Sequence, residues 1–110
     1  MIKSNKIFFV DAKLKNIFNL LSDTDPLKKG IIKAIQDIKR DCQVGEVVKK
    51  DSVMLKNYKK KYGVKNLRVY DLPLAYRLMY TVTPVDVEII SVILDWKNHK
   101  DYDKMNKKKK

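Results

Sequence analysis

The sequence contains little cysteine, histidine or glycine, and each scarcity excludes a class of protein. One cysteine cannot form a disulfide within the chain, and one cysteine with one histidine cannot supply the ligands of a structural zinc site. The three glycines stand apart at positions 30, 45 and 63, so they cannot form a glycine-rich phosphate-binding loop. The chain is therefore not a disulfide scaffold, a zinc finger or a phosphate-loop enzyme, and we expect it to need no cofactor and no metal ion.

Long apolar runs are also missing. No stretch reaches the roughly 18 apolar residues that a membrane-spanning helix requires. The N-terminus lacks the apolar segment and small-residue cleavage site of a secretory signal. We therefore expect the protein to act in the cytoplasm, with no membrane partner.

Negative charge is scarce relative to positive charge. The 110 residues include 25 Lys+Arg and 13 Asp+Glu, which gives a formal net charge of +12. Without the four lysines of Lys107–Lys110 the charge is still +8, so the basic character belongs to the folded part. The length suits one domain, predicted over 1–105, with a disordered lysine-rich tail over 106–110. A polyanion such as RNA is the first partner to expect.

The N-terminal part predicts one strand and two helices. Lys6–Val10 is rich in aromatic and β-branched residues, and Asp11 after it is typical of a helix N-cap. Asp25 followed by Pro26 marks the start of a second helix. Apolar residues recur at helical spacing in both segments, at Leu14, Ile17, Phe18 and Leu21 in the first and at Leu27, Ile31, Ala34, Ile35, Ile38 and Cys42 in the second.

The C-terminal part predicts three strands. Residues 43–65 show little periodicity, and we interpret them as a loop with one helical turn before Gly63. Strands are predicted over 66–72, 76–83 and 87–95, with a turn at Thr83–Asp86 and the apolar run Ile89–Leu94 as a central strand covered on both faces. The order β-α-α-β-β-β predicts an α+β fold in which a helical hairpin packs on one face of an antiparallel sheet and leaves the other face to a ligand.

Few residues are candidates for chemistry. A Ser-His-Asp triad would have to use His99, but the chain has no Gly-x-Ser-x-Gly motif. Cys42 ends an apolar helical stripe, where a buried structural thiol is expected. Basic and aromatic side chains gather instead in the C-terminal strands, at Arg68, Tyr70, Arg77, Tyr80, Lys97, His99, Lys100 and Tyr102. Such groups can stabilise charge on an RNA phosphodiester and exchange its protons without a metal. The alternative is that the tyrosines pack and the basic residues form a solvated face.

A second basic segment precedes the strands. Lysines are interleaved with Tyr58 and Tyr62 in the stretch 56–65, which includes Lys59, Lys60 and Lys61. These residues are expected either to form a solvated loop or to contact the RNA backbone, with base stacking on the tyrosines as a further option.

Two consecutive strand motifs carry a resemblance to a known family. Asn66-Leu67-Arg68-Val69-Tyr70-Asp71-Leu72-Pro73, followed by Ala75-Tyr76-Arg77-Leu78-Met79-Tyr80-Thr81-Val82, resembles the RelE/ParE toxin superfamily. The later segments Val87–Leu94 and His99-Lys100-Asp101-Tyr102 resemble the last strand and the basic, tyrosine-containing C-terminal segment of that family. The helical hairpin before the sheet agrees in organisation.

The resemblance implies a compact β-α-α-β-β-β fold and a type II toxin-antitoxin function. RelE-like members cleave mRNA on the ribosome by attack of a ribose 2′-hydroxyl on the adjacent phosphate. By residue, the resemblance implies catalytic roles for Arg68 and Arg77 in charge stabilisation and for His99 and Tyr102 in proton transfer. RNA contacts are expected from Lys59, Lys60, Lys61, Tyr70, Lys97 and Lys100.

The implied partners are mRNA, the ribosome and a cognate antitoxin protein whose C-terminal segment folds on binding. Two other functions stay open at this point. One is a RelE-fold protein that binds RNA, the ribosome or a partner protein without cutting. The other is a ParE-like inhibitor of DNA gyrase, because a fold alone does not decide which activity a member has.

Overall fold

A computed structural model of the chain describes residues 4–85 and 88–106. In these ranges it contains four helices and five strands. In chain order they are β1 (Ser4–Phe9), α1 (Ala12–Leu20), α2 (Pro26–Arg40), β2 (Glu46–Val47), α3 (Val53–Tyr62), β3 (Arg68–Leu72), β4 (Tyr76–Val85), β5 (Glu88–Asn98) and α4 (His99–Asn106). The α+β class is confirmed, and the predicted series β-α-α-β-β-β is present with β2 and α3 inserted after α2.

The strands form one mixed sheet in the order β1-β5-β4-β3-β2. The strands from β2 to β5 pair antiparallel, whereas β1 pairs parallel with β5. The prediction of a fully antiparallel sheet was therefore wrong. The reason is that β1 returns to the sheet beside the last strand of the chain, a pairing that adjacent sequence segments cannot reveal.

The two N-terminal helices begin where the sequence predicts. The Asp11 side chain accepts a hydrogen bond from Leu14 N–H at 2.8 Å, and the Asp25 side chain accepts one from Leu27 N–H at 2.9 Å with Pro26 in the first helical turn. Both helices pack on one face of the sheet. Their apolar stripes and the sheet form a first core of Leu14, Leu27, Ile31, Ala34, Ile38, Leu72, Leu78, Tyr80 and Ile93.

Residues 43–65 are not a loop with a single helical turn. They include the short strand β2 and the ten-residue helix α3. The Ser52 side chain caps α3 by accepting a hydrogen bond from Leu55 N–H at 3.0 Å, and Gly63 ends it in the left-handed conformation at φ 73°. The basic composition of the segment hides this helix, because four of its ten residues are lysine and its buried apolar side chains are few.

The second face of the sheet is covered, which corrects the expectation that it is free. There α3 and α4 enclose a second core of Met54, Leu55, Tyr58, Leu67, Met79 and Leu94, against which Tyr102 and Met105 pack. Ile93 belongs to the first core and Leu94 to the second, so the expectation that β5 is apolar because both of its faces are covered is confirmed. Burial of each such side chain stabilises the fold by about 1.5–3 kcal/mol.

Several boundaries differ from the sequence prediction. Strand β4 continues to Val85, so Pro84 lies in the strand and not in a turn; Asp86 and residue 87, where the turn and the next strand were predicted, lie outside the described residues. The β3–β4 ladder ends at Tyr80, so Pro84 lies beyond the part of β4 that β3 covers, where a proline is tolerated. Helix α4 runs to Asn106, and residues 107–110 of the predicted tail lie outside the described residues.

Candidate nucleic-acid interface

A cleft of about 540 Å³ opens on the face of the sheet that carries α3 and α4. Its walls are β2 with the segment after it, the start of α3, two side chains of β3, one of β4 and one of α4. The residues are Glu46, Val47, Val48, Lys49, Asp51, Ser52, Val53, Val69, Asp71, Arg77 and Tyr102. Two of the predicted catalytic residues, Arg77 and Tyr102, therefore line one surface.

The Arg77 side chain lies at the centre of a row of charged residues across three strands. In the ladders Arg77 pairs with Asp71 of β3 on one side and with Lys97 of β5 on the other. The Arg77 Nε atom lies 3.5 Å from Asp71 Oδ1, and the Arg77 side chain is 32% exposed whereas that of Asp71 is 88% exposed. The guanidinium thus reaches the cleft from a rigid strand with part of its surface open to a ligand.

Helix α4 brings Tyr102 onto this arginine. The Asn98 side chain accepts a hydrogen bond from Asp101 N–H at 2.9 Å, as an N-cap does, and so starts the helix directly after β5. Tyr102 and Met105 pack against the second core. The Tyr102 ring centroid then lies 4.5 Å from Arg77 Cζ, a cation–π contact.

Arg68, the other arginine with a predicted catalytic role, is not among the residues that line this cleft. Arg77 pairs with Asp71, and Asp71 is three residues from Arg68 along β3, an odd spacing that puts Arg68 on the opposite face. There Arg68 Nη1 donates hydrogen bonds to the carbonyl oxygens of Gln43 at 3.0 Å and Gly45 at 2.7 Å. Its role in the described structure is to hold the segment that follows α2.

Tyr70 lies on the same opposite face and is also not part of the cleft. Its hydroxyl donates a short hydrogen bond to Asp37 Oδ2 of α2, and its ring packs against the first core. Partial burial and the neighbouring Asp37 carboxylate raise the pKa of Tyr70 to about 12. The hydrogen bond links β3 to α2, and the RNA contact of Tyr70 stays a prediction.

His99 is the first residue of α4 but is not among the residues that line the cleft. Its Nε2 atom lies 3.3 Å from Asp103 Oδ2 one turn further along the helix, and both side chains are about half exposed. The structure thus separates the two predicted proton-transfer residues, because Tyr102 faces the cleft while His99 pairs with Asp103.

The predicted lysines lie mainly along α3. Lys59, Lys60 and Lys61 form the last turn of that helix and are exposed, and Lys100 is exposed on α4. Lys97 is half-buried on β5 with its ammonium 3.5 Å from Asp95 Oδ2. The base stacking considered for the tyrosines of this segment is not available to Tyr58, which is 3% exposed and whose hydroxyl donates to Asp95 at 3.3 Å. Burial and the Asp95 carboxylate raise the pKa of Tyr58.

Sequence reasoning missed Asp71 and Lys49 as residues of the cleft. The signal for Asp71 was present, since the predicted strands 66–72 and 76–83 leave a three-residue loop at 73–75, which pairs position 72 with 76 and position 71 with 77. No comparable signal existed for Lys49, because its place beside the cleft depends on the unpredicted β2 and α3. Among residues 4–85 and 88–106, no group of three or more His, Cys, Asp or Glu side chains could hold a metal ion.

No family model matches the chain, and no curated protein or solved structure shows significant similarity to it. The helices of the described ranges include none that is long and apolar enough to cross a membrane.

Proposed function

We propose that the protein is a RelE-like toxin, a ribosome-dependent endonuclease that cleaves mRNA by attack of a ribose 2′-hydroxyl on the adjacent phosphate. The observation that carries the proposal is the convergence of Arg77, Tyr102 and Asp71 in one cleft of a protein with a net charge of +12. The RelE-like topology is part of the same proposal. It is supported by the strand–helix–helix start and the three consecutive C-terminal strands.

Each group of the cleft has a role in this reaction. The Arg77 guanidinium donates hydrogen bonds to the non-bridging phosphate oxygens and stabilises the charge that grows on them in the transition state. The 2′-oxygen forms a bond to phosphorus while the bond from phosphorus to the 5′-oxygen breaks, which leaves a 2′,3′-cyclic phosphate and a 5′-hydroxyl end. The Asp71 carboxylate accepts the 2′-hydroxyl proton, and the Tyr102 hydroxyl gives a proton to the leaving 5′-oxygen.

This assignment differs from the sequence expectation in two residues. Tyr102 is retained for proton transfer and Asp71 takes the place of His99, because Asp71 lies beside Arg77 whereas His99 pairs with Asp103. Arg68 is left out, since its guanidinium is bonded to backbone carbonyls on the other face of the sheet. One arginine therefore provides the main charge stabilisation.

The partners that follow from the proposal are mRNA, the ribosome and an antitoxin protein that covers the cleft. The site of action is the cytoplasm, where the ribosomes are. Lys49 at the cleft and the exposed lysines of α3 are the side chains available for phosphates on either side of the cleaved bond.

A non-catalytic RNA- or ribosome-binding function is the second candidate. One observation favours it: the Asp71 carboxylate lies 3.5 Å from Arg77 and offsets part of the positive charge that a phosphate would meet. A protein that only binds RNA tolerates an ion pair between Asp71 and Arg77, whereas in the proposed nuclease the Asp71 carboxylate acts as the general base.

Primer extension on mRNA from cells in which the protein is briefly induced tests the proposal. We expect cuts at discrete in-frame positions with the wild-type chain and none with Arg77→Ala. Arg40→Ala is the matched control, because Arg40 is an exposed arginine of α2 whose side chain is 79% exposed. Intact mRNA in cells that express the wild-type chain would contradict the nuclease proposal and favour the binding function. Cutting at the wild-type level by a folded Arg77→Ala variant would show that Arg77 is not catalytic.

A further inference from the structure

Three lysines from three different elements converge on a second cavity, separate from the cleft. Lys13 of α1, Lys61 of α3 and Lys97 of β5 line a volume of about 320 Å³ together with Asp11, Leu14, Ile17, Tyr62, Leu94 and Asp95. Convergence of like charges from separate elements has an electrostatic cost, and an anion bound among them would offset it. The cavity therefore differs from the lysines that simply project from one side of α3.

The two carboxylates of the cavity are already engaged within the fold. Asp11 caps α1 by accepting the hydrogen bond from Leu14 N–H. Asp95 accepts hydrogen bonds from the Tyr58 hydroxyl at 3.3 Å and from Trp96 N–H at 2.9 Å, and it pairs with Lys97. Three lysines against two carboxylates leave the cavity with a net charge of +1, and neither Lys13 nor Lys61 is paired with a carboxylate in the described ranges.

The cavity and the cleft lie at opposite ends of helix α3. The cleft includes Ser52 and Val53 at the start of α3, and the cavity includes Lys61 and Tyr62 at its end. Ten helical residues at about 1.5 Å each span about 15 Å. The exposed lysines 56, 59 and 60 lie on the helix between the two sites.

Lys97 links the two sites across the sheet. It pairs with Arg77 in the β4–β5 ladder, so its backbone lies beside the centre of the cleft, while its side chain lines the cavity. A strand of RNA that follows this row of positive charge would run along α3 from one site to the other.

We propose that the cavity lined by Lys13, Lys61 and Lys97 binds a backbone phosphate of the RNA strand a few nucleotides away from the bond held in the cleft. This inference rests on the proposed function for the identity of the ligand. Lysine suits the task because its ammonium acts as a point charge on a flexible stem and needs no fixed geometry. The site adds Lys13 of the first helix to an interface otherwise formed by residues 46–102.

Fluorescence anisotropy with a labelled, 2′-O-methylated RNA long enough to span α3 tests the inference. The methyl group blocks the attacking hydroxyl, so binding is measured without cleavage. The triple variant Lys13→Gln, Lys61→Gln, Lys97→Gln removes the three charges and keeps most of each aliphatic stem. The matched control is Lys15→Gln, Lys33→Gln, Lys39→Gln, which removes three exposed lysines of α1 and α2 outside the cavity.

We expect the cavity variant to bind about tenfold or more weakly, because it loses a charge-assisted contact. We also expect the slope of log affinity against log salt to fall by about 0.7, the contribution of one neutralised phosphate on a single strand. The control should retain the wild-type slope, and circular dichroism confirms that both variants are folded. A dinucleotide, too short to reach the cavity, should bind the wild type and the cavity variant equally.

Equal losses in the cavity variant and the control would mean that net charge alone attracts RNA, and would overturn the inference. Wild-type binding by the cavity variant, or no RNA binding by the wild type, would also overturn it. If mRNA is cut in cells but the cavity variant binds normally, the inference fails and the proposed function stands. If mRNA is not cut and the cavity variant alone loses affinity and slope, the inference stands and the nuclease proposal fails.

Discussion

Tyr102 contributes two separable groups to the cleft, an aromatic ring and a hydroxyl. The ring lies over the Arg77 guanidinium, whereas the hydroxyl is the proposed proton donor. We predict that Tyr102→Phe, which keeps the ring, lowers the rate of mRNA cleavage by about 10²-fold or more while RNA affinity stays within about twofold of wild type. Tyr102→Ala, which also removes the cation–π contact, should in addition weaken RNA binding.

Cleavage rates on isolated ribosomes and RNA binding by anisotropy separate these effects. Tyr76→Phe is the control, since Tyr76 packs against the first core on the other face of the sheet. If Tyr102→Phe cuts as fast as the wild type, the hydroxyl transfers no proton and the tyrosine acts only by holding Arg77.

Tyr70 gives a prediction about stability and pH. Loss of its hydrogen bond to Asp37 in Tyr70→Phe should lower the free energy of unfolding at neutral pH by about 1 kcal/mol. The folded-state pKa of Tyr70 is raised to about 12, above the ordinary value of about 10. The folded protein therefore holds this proton more tightly, and the associated stability is present below pH 10 and is lost as the pH rises through 12.

Urea unfolding of the wild type and of Tyr70→Phe at a series of alkaline pH values measures this directly. The wild-type curve should fall more steeply than that of the variant in the window between about 10 and 12. Parallel curves would show that burial and the Asp37 contact do not raise the pKa of Tyr70 in the folded protein.

For single residues, the sequence predicts which side chains are candidates for the site better than it predicts the face of the sheet on which each one lies. Arg77 and Tyr102 reach the same cleft, as the resemblance implies, but Arg68 and Tyr70 lie on the opposite side of β3. A side chain's face follows from strand register, and a shift of one residue reverses every side chain. Register here depends on the hairpin turn, which the sequence disguises because Leu-Ala replaces the usual Asn-Gly.

The β3–β4 hairpin turn is the clearest feature at the scale of elements. Leu74 and Ala75 have φ values of 61° and 58°, and Tyr76 N–H donates to Pro73 O at 3.3 Å. Two successive left-handed residues are the pattern of a type I′ turn, which favours Asn-Gly. Each L-residue with a side chain in this conformation costs roughly 1–2 kcal/mol.

We predict that Leu74→Asn combined with Ala75→Gly raises the free energy of unfolding by about 1–2 kcal/mol. Urea denaturation provides the measurement, and Leu74→Ala is the control because it removes the exposed leucine but keeps the strained conformation. An equal gain from Leu74→Ala would attribute the effect to the exposed apolar side chain and not to the backbone.

Helix α3 shows why an element can be missed. Its buried residues Met54, Leu55 and Tyr58 occupy one side, but four of its ten residues are lysine and its stripe of apolar side chains is short. The cap Ser52 and the terminal Gly63 are clear signals in retrospect. By contrast α1 and α2 are predictable because long apolar stripes and acidic N-caps agree with each other.

The whole molecule depends on pairings that are distant in the sequence. Strand β1 pairs with β5 in parallel, for example through Asn5 and Ile89, which places β1 at one edge of the sheet and makes β5 an inner strand. The order of the predicted elements indicates an α+β domain and the composition a basic surface, but neither reveals that α3 and α4 build a second core on the remaining face. The cleft exists only because that second layer leaves a gap beside β2.

The central claim is that the Arg77 cleft cuts RNA, and the chemical nature of the product ends tests it most directly. Purified ribosomes carrying a defined mRNA would be incubated with the wild-type chain, Arg77→Ala and Arg40→Ala. The account predicts fragments with 2′,3′-cyclic phosphate and 5′-hydroxyl ends for the wild type and Arg40→Ala, and loss of these fragments for Arg77→Ala. Fragments with 5′-phosphate ends, or full-length message with the wild type, would contradict it.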